Sequence, residues 1–113
     1  MHEMAIARSI LDIAIAATEK EGAQRITRVN VVVGELRGIV PLQLTFCFGL
    51  LAENTIASGA HLNFEITPVQ GRCGKCDETF LVEDYRYICP KCHGADIQTV
   101  GGTELRLRDI EVE

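Results

Sequence analysis

Apolar residues recur at three- and four-residue spacings from Met4 to about Glu21. Met4, Ala7, Leu11 and Ala14 form one line, and Ile6, Ile10, Ile13 and Ala17 lie beside it. Arg8, Asp12, Glu19 and Lys20 take the wet side, so the spacing predicts an amphipathic helix over 4–21, closed by Gly22. The period then shortens to two. Arg25 to Val33 is β-branched, with Val29, Val31 and Val33 on one face; Val32 on the other suggests a central strand covered on both sides. Gly34 to Gly38 breaks it. Pro41 suits the first turn of a second helix reaching about Glu53 through Leu42, Leu44, Phe46, Phe48, Leu50 and Leu51. After a turn at Ser58-Gly59, the run His61–Thr67 alternates, with Leu62, Phe64 and Ile66 against His61, Asn63, Glu65 and Thr67.

The texture changes at Gly71. From there to Gly102 the chain is polar and rich in turns, and apolar alternation returns only in Leu105, Leu107, Ile110 and Val112, with a slip of phase near Asp109 that suggests a bulge. The expected fold is α+β: two helices packed on a small mixed β-sheet, with an inserted zinc-ribbon-like module. Residues 1–70 and 102–113 form the α/β domain, and 71–101 form the module.

That inserted segment holds four of the five cysteines, as Cys73-Gly74-Lys75-Cys76, twelve residues, then Cys89-Pro90-Lys91-Cys92. Zinc takes four ligands in a tetrahedron, and a two-residue gap lets one tight turn aim two sulfurs at one point. A short hairpin of Phe80–Val82 with Tyr85–Ile88 is expected to bring the two turns together. The segment carries few large apolar side chains, so metal binding, worth roughly 10–16 kcal/mol in small structural zinc sites, would supply its stability. Three other readings compete. Two disulfides would close very small loops and belong to an oxidising compartment. Cys89 to His93 matches a haem-attachment pattern, but that ignores the first pair. A rubredoxin-like iron site shares the two turns; the scarcity of aromatic residues around them favours zinc. Four thiolates leave no position for a substrate water, so the expected metal is structural and the chain is not expected to be an enzyme. Cys47, alone in an apolar stretch, reads as a small buried hydrophobe.

Charge narrows the function further. The net charge is −5, and four thiolates with one Zn²⁺ would take it to −7, which speaks against nucleic acid as a partner. The first residues include His2, Glu3, Arg8 and Asp12 with no long apolar run, and no window is long enough for a membrane span. A cytoplasmic protein without membrane association is expected.

The chain begins Met1-His2-Glu3. Histidine is too large for methionine aminopeptidase to expose, so His2 should stay second. There the α-amine, the His2 amide nitrogen, its imidazole and the next amide can close fused chelate rings. Such an in-plane nitrogen set suits Ni²⁺ or Cu²⁺ better than Zn²⁺, and Glu3 could add an oxygen. The amine and imidazole must lose protons, with reference pKa values of roughly 7.7–8.0 and about 6.5, so acid should weaken binding. Read from the residues alone, a solvated helix start explains the same three residues, Glu3 being favourable near any helix N-terminus.

Met1-His2-Glu3 opening an apolar helix, Val33-Gly34-Glu35 after a strand, the two cysteine pairs ending in Cys92-His93, and the closing Ile110-Glu111-Val112-Glu113 occur in one order. Together they resemble the HypA/HybF family of hydrogenase nickel-incorporation proteins over essentially the whole chain. The resemblance implies a metallochaperone that carries Ni²⁺ toward [NiFe]-hydrogenase, with a HypB-type GTPase and the hydrogenase large subunit as partners; some relatives serve urease. It places the nickel site on Met1, His2 and Glu3, and the zinc site on Cys73, Cys76, Cys89 and Cys92. Certain relatives carry an acidic residue before the second helix, where this chain has Arg37-Gly38-Ile39-Val40-Pro41, so Glu35 is the second-tier candidate. His93 is expected to orient or link the zinc site, and His61 to be solvated. A homodimer is compatible with this reading, the second helix and the inserted module leaving room for exchange between subunits. The rival reading is a zinc-ribbon interaction module without metal cargo.

Overall fold

The computed structural model describes residues 2–113. Helix α1 spans Glu3–Glu21 and ends where Gly22 turns left-handed at φ 72°, donating its N–H to the Glu19 carbonyl. Strand β1 covers Ile26–Gly34, and a single 3-10 turn follows at Glu35–Arg37. Helix α2 covers Pro41–Ala52 and strand β2 covers His61–Thr67. Strands β3 (Gln70–Cys73), β4 (Thr79–Leu81), β5 (Ile97–Gly101) and β6 (Leu105–Val112) complete the chain.

The strands divide into two sheets. One has the order β2-β1-β6, with β2 parallel and β6 antiparallel to β1; the other has the order β4-β3-β5 and is antiparallel throughout. The parallel pair needs a crossover, and α2 supplies it. Both helices lie on one face of the first sheet. Ala7, Ile10, Leu11 and Ala14 of α1 and Leu44, Phe48 and Ala52 of α2 close over Val29, Val31 and Val33.

The opposite face is covered as expected for a central strand, but by polar side chains. Val32 is 1% exposed between Glu65 and Arg106, its neighbours in register, whose long stems flank it. Asn30 donates to Asp109 and accepts from the Asn63 amide at 3.1 Å, while Arg108 reaches Glu65 at 2.8 Å. The register shifts between Asn30 and Val31, whose partners are Asp109 and Leu107, so Arg108 is the extra residue of a bulge. This is the slip visible in the sequence, and it is what lets Arg108 and Asp109 both serve the network.

One local expectation fails. Tyr85–Ile88 forms no strand, and the expected hairpin with 80–82 is absent. Asp84 and Tyr85, at φ 53° and 57°, do form a tight turn closed by the Arg86 N–H on the Glu83 carbonyl at 3.0 Å, but no strand ladder continues from it. β4 pairs with β3 instead. Ile66, expected on the inner face of β2, is 49% exposed.

The molecule measures 55 × 26 × 16 Å with a radius of gyration of 17.7 Å. A compact chain of this length would have about 13 Å, so the second sheet stands off from the first. The link is tight. A Cβ on Gly34 would lie 2.2 Å from the Gly102 carbonyl carbon, and one on Gly102, whose φ is +100°, would lie 2.7 Å from the Val69 Cα. Gly34 donates to the Glu104 carbonyl at 2.6 Å, Leu36 to the Gly102 carbonyl at 2.8 Å, and the Arg37 Nε to the Thr103 carbonyl at 2.7 Å.

Candidate metal centres

The second sheet exists to place two turns. β3 delivers Cys73, and the chain folds back so that Cys73 donates its N–H to the Glu78 carbonyl and accepts from Asp77, both at 2.9 Å. The other turn repeats this pattern: Cys89 donates to the Gly94 carbonyl and accepts from His93, again at 2.9 Å. Within each turn a backbone N–H points at the first sulfur, Lys75 at Cys73 Sγ and Cys92 at Cys89 Sγ, each at 3.4 Å. The residue after each pair turns left-handed, Asp77 at φ 65° and His93 at φ 63°. His93 therefore holds a backbone position that Asp77 holds in the other turn, and both are residue types that tolerate it. A Cβ on Gly74 would meet Asp96 Oδ2 at 2.3 Å, so the Asp96 side chain would have to swing aside for any other residue.

All four sulfurs lie within 4.8 Å of one another. Cys73 and Cys92 approach to 3.5 Å, as do Cys76 and Cys89, so each close pair joins one turn to the other. A tetrahedron with Zn–S bonds of about 2.3 Å has edges of about 3.8 Å, and the donor set fits it. Cys73 and Cys89 are buried and Cys92 is exposed. Electrostatics favour partial ionisation. The Cys76 and Lys75 backbone groups draw the Cys73 thiol down to about 7, and those of Cys92 and Lys91 lower Cys89. Against the pull of the Glu78 backbone, burial and the Cys89 and Cys73 sulfurs push Cys76 up to about 12. Ionising all four sulfurs this close together would require a cation among them.

The other sequence candidates lie on the helical layer. His2 is exposed at the N-cap of α1 and makes no side-chain cap bond, while Glu3 is 9% exposed. The first backbone bond of the helix runs from Ile6 to the His2 carbonyl at 3.0 Å, so the amides of His2 and Glu3 lie outside its ladder. His2 and Glu3 share a groove of about 870 Å³ with Met4, Leu42, Gln43, Thr45, Phe46 and Cys47. Met1 lies outside the described residues. Among the described residues, the four cysteines are the one cluster of three or more donor side chains this close, so His2 and Glu3 gain no third side chain at that range. Glu35 is exposed in the 3-10 turn and does not line the groove; His61 is exposed, and Cys47 packs half-buried against the core.

Comparison with known proteins gives the family. The family model for hydrogenase/urease nickel incorporation, metallochaperone, hypA, matches residues 1–112. The chain belongs to the HypA family. It is 43% identical to the hydrogenase maturation factor HypA of Chlorobium limicola, covering 100% of this chain and 97% of that one. Identity to the HypA of Dehalococcoides mccartyi is 36%, over 100% and 95%. A solution structure of a HypA protein superimposes with a TM-score of 0.77 at 26% identity, covering 100% of this chain and 97% of that one. The HypA of Helicobacter pylori, a nickel metallochaperone at 24% identity, shares the fold with a TM-score of 0.68. Members of this family are metallochaperones, not enzymes, and serve hydrogenase maturation.

What the sequence did not single out is the junction. Gly34, Arg37, Gly102 and Glu104 join the cysteine-bearing sheet to the helical layer, and the Gly102 N–H donates to Glu104 Oε1 at 2.7 Å. The available signal was the pair of glycine breaks at Gly34 and at Gly101-Gly102, which sequence spacing read separately, as the end of a strand and the end of the inserted module.

Proposed function

We propose that this chain binds Ni²⁺ through nitrogens at its N-terminus and delivers it during [NiFe]-hydrogenase maturation, with Zn²⁺ held by Cys73, Cys76, Cys89 and Cys92. The observation that carries the nickel reading is the state of His2. Its imidazole is exposed and uncommitted, and the adjacent amides stand outside the helix ladder. Metal binding there would cost α1 none of its backbone bonds. The Met1 α-amine, the His2 amide and imidazole and the next amide would supply an in-plane set, with the Glu3 carboxylate beside them. Zinc, fully enclosed by thiolates, holds residues 71–101 as a separate module and takes no part in exchange.

Transfer would then be ligand replacement, the recipient's donors displacing these nitrogens one at a time. A HypB-type GTPase and the hydrogenase large subunit are the partners this role requires, and the cytoplasm is the compartment that keeps the four thiols reduced. Calorimetric titration with Ni²⁺ tests it on the native-terminus protein, on His2→Ala and on a form with one residue added before Met1. Both changes should abolish tight nickel binding while one zinc per chain remains. Unchanged affinity in both would sink the N-terminal site.

A further inference from the structure

Strand β6 lies at one end of the order β2-β1-β6, so its outer edge has no neighbouring strand. Gly34 donates to the Glu104 carbonyl, which therefore faces β1. Direction alternates along an antiparallel strand, so Arg106 also faces β1, and Leu105 and Leu107 turn their N–H and C=O groups to the free edge. The side chains of those two leucines floor a groove of about 280 Å³ between β6 and α1, walled by Ala5, Ile6, Ser9 and Ile13. Ile13 is 56% exposed at this wall. Arg106 borders the groove and stands on the polar face beside Val32. It is exposed and, unlike Arg28 and Arg108, makes no ion pair among the described residues. The bulge at Arg108 ends the regular edge after Leu107.

We infer that this edge takes an extended segment of a partner protein, added to the sheet as an antiparallel strand of apolar–acidic–apolar sequence. An exposed edge binds such a segment by main-chain bonds, and side chains at alternate positions set the choice. The residues set against Leu105 and Leu107 would each exchange a pair of N–H···O bonds with them. Their side chains fall on the groove side of the sheet, between Leu105, Leu107, Ile6 and Ile13, which favours an aliphatic pair. The residue between them falls on the polar face directly opposite Arg106, where the unpaired guanidinium selects a carboxylate. The chain as a whole carries −5, so its overall charge opposes an acidic segment and the preference rests on this local cation. A contact this short is well below a standard interface, so binding should be weak and fast in exchange. The inference is independent of whether His2 carries nickel.

Fluorescence anisotropy and NMR amide-shift mapping on the zinc-loaded full chain test it. The probe is a short fluorescein-labelled peptide, blocked at both ends, with valine–glutamate–valine at its centre between threonines. It should bind saturably, with shifts centred on 105–107 and on Ile6 and Ile13. Lysine in place of the glutamate should weaken binding several-fold, and Arg106→Glu, at an exposed position, should reverse that preference. N-methylation of the two valines removes the donors that face β6 and should abolish binding. N-methylation of the glutamate, whose N–H faces away, should preserve most of it. Absence of saturable binding up to near-millimolar protein overturns the inference, as does a shift pattern centred on 41–53 or on 71–101. A preference for glutamate that survives Arg106→Glu, or undiminished binding of the valine-methylated peptide, overturns it as well.

Discussion

Single residues in this protein are explained by two different constraints, contact and backbone sign. Gly34 answers to contact. A methyl group there would lie 2.2 Å from both the carbon and the oxygen of the Gly102 carbonyl, and neither backbone can yield without breaking the 2.6 Å bond from Gly34 to the Glu104 carbonyl. Gly34→Ala should cost about 1–3 kcal/mol, as overpacking of fixed neighbours does, read from urea denaturation. His93 answers to backbone sign. Its φ of 63° and the bond from its N–H to the Cys89 carbonyl account for its place without using the imidazole. His93→Gly should therefore keep zinc with equal or slightly better stability, whereas His93→Val should lose about 1–2 kcal/mol by forcing a branched residue left-handed. Strong loss of zinc in the glycine variant would show that the imidazole itself acts on the site.

At the scale of elements, β6 is held to β1 partly by charge. The Asn30 amide, with help from Arg108, holds the Asp109 carboxyl below its ordinary range. Glu104 is lowered likewise by backbone N–H groups, its own and that of Gly102. For a group whose folded pKa is depressed, the stabilisation is full above the unfolded pKa, about 3.9 for Asp and about 4.3 for Glu, and is lost as pH falls through the lower folded value. Acid should therefore loosen β6 and the junction below about pH 4, and Asp109→Asn should flatten that part of the pH dependence. Chemical denaturation across the acid range checks both. Much of this was legible: the slip near Asp109 predicted the bulge at Arg108. The failed hairpin shows the limit. Phe80–Val82 and Tyr85–Ile88 have strand-like composition with a tight turn at Asp84-Tyr85 between them, yet β4 pairs with β3 and 85–88 forms no strand, a choice of partner that no local propensity records.

The whole molecule is two sheets joined through one glycine-rich junction, and the two should respond differently to metal removal. The helical layer has its own apolar core, whereas β3, β4 and β5 have few large buried side chains besides the cysteines. Chelation of zinc should unfold the second sheet and leave the first, with loss of amide dispersion confined to residues 70–101 in NMR spectra. Acid should favour the same loss, because protons compete with zinc for the thiolates.

Periodicity and spacing by themselves determined the two helices, the central strand and the two cysteine pairs, because each depends on residues near one another in the chain. Only the tertiary structure decided that the ends of β1 and β5 interlock through Gly34 and Gly102, that polar side chains cover Val32, and that β6 keeps one edge unpaired. Those facts depend on backbones distant in sequence meeting within a few ångströms. A pattern of residue types sets what can be buried, and packing settles which face finds a partner.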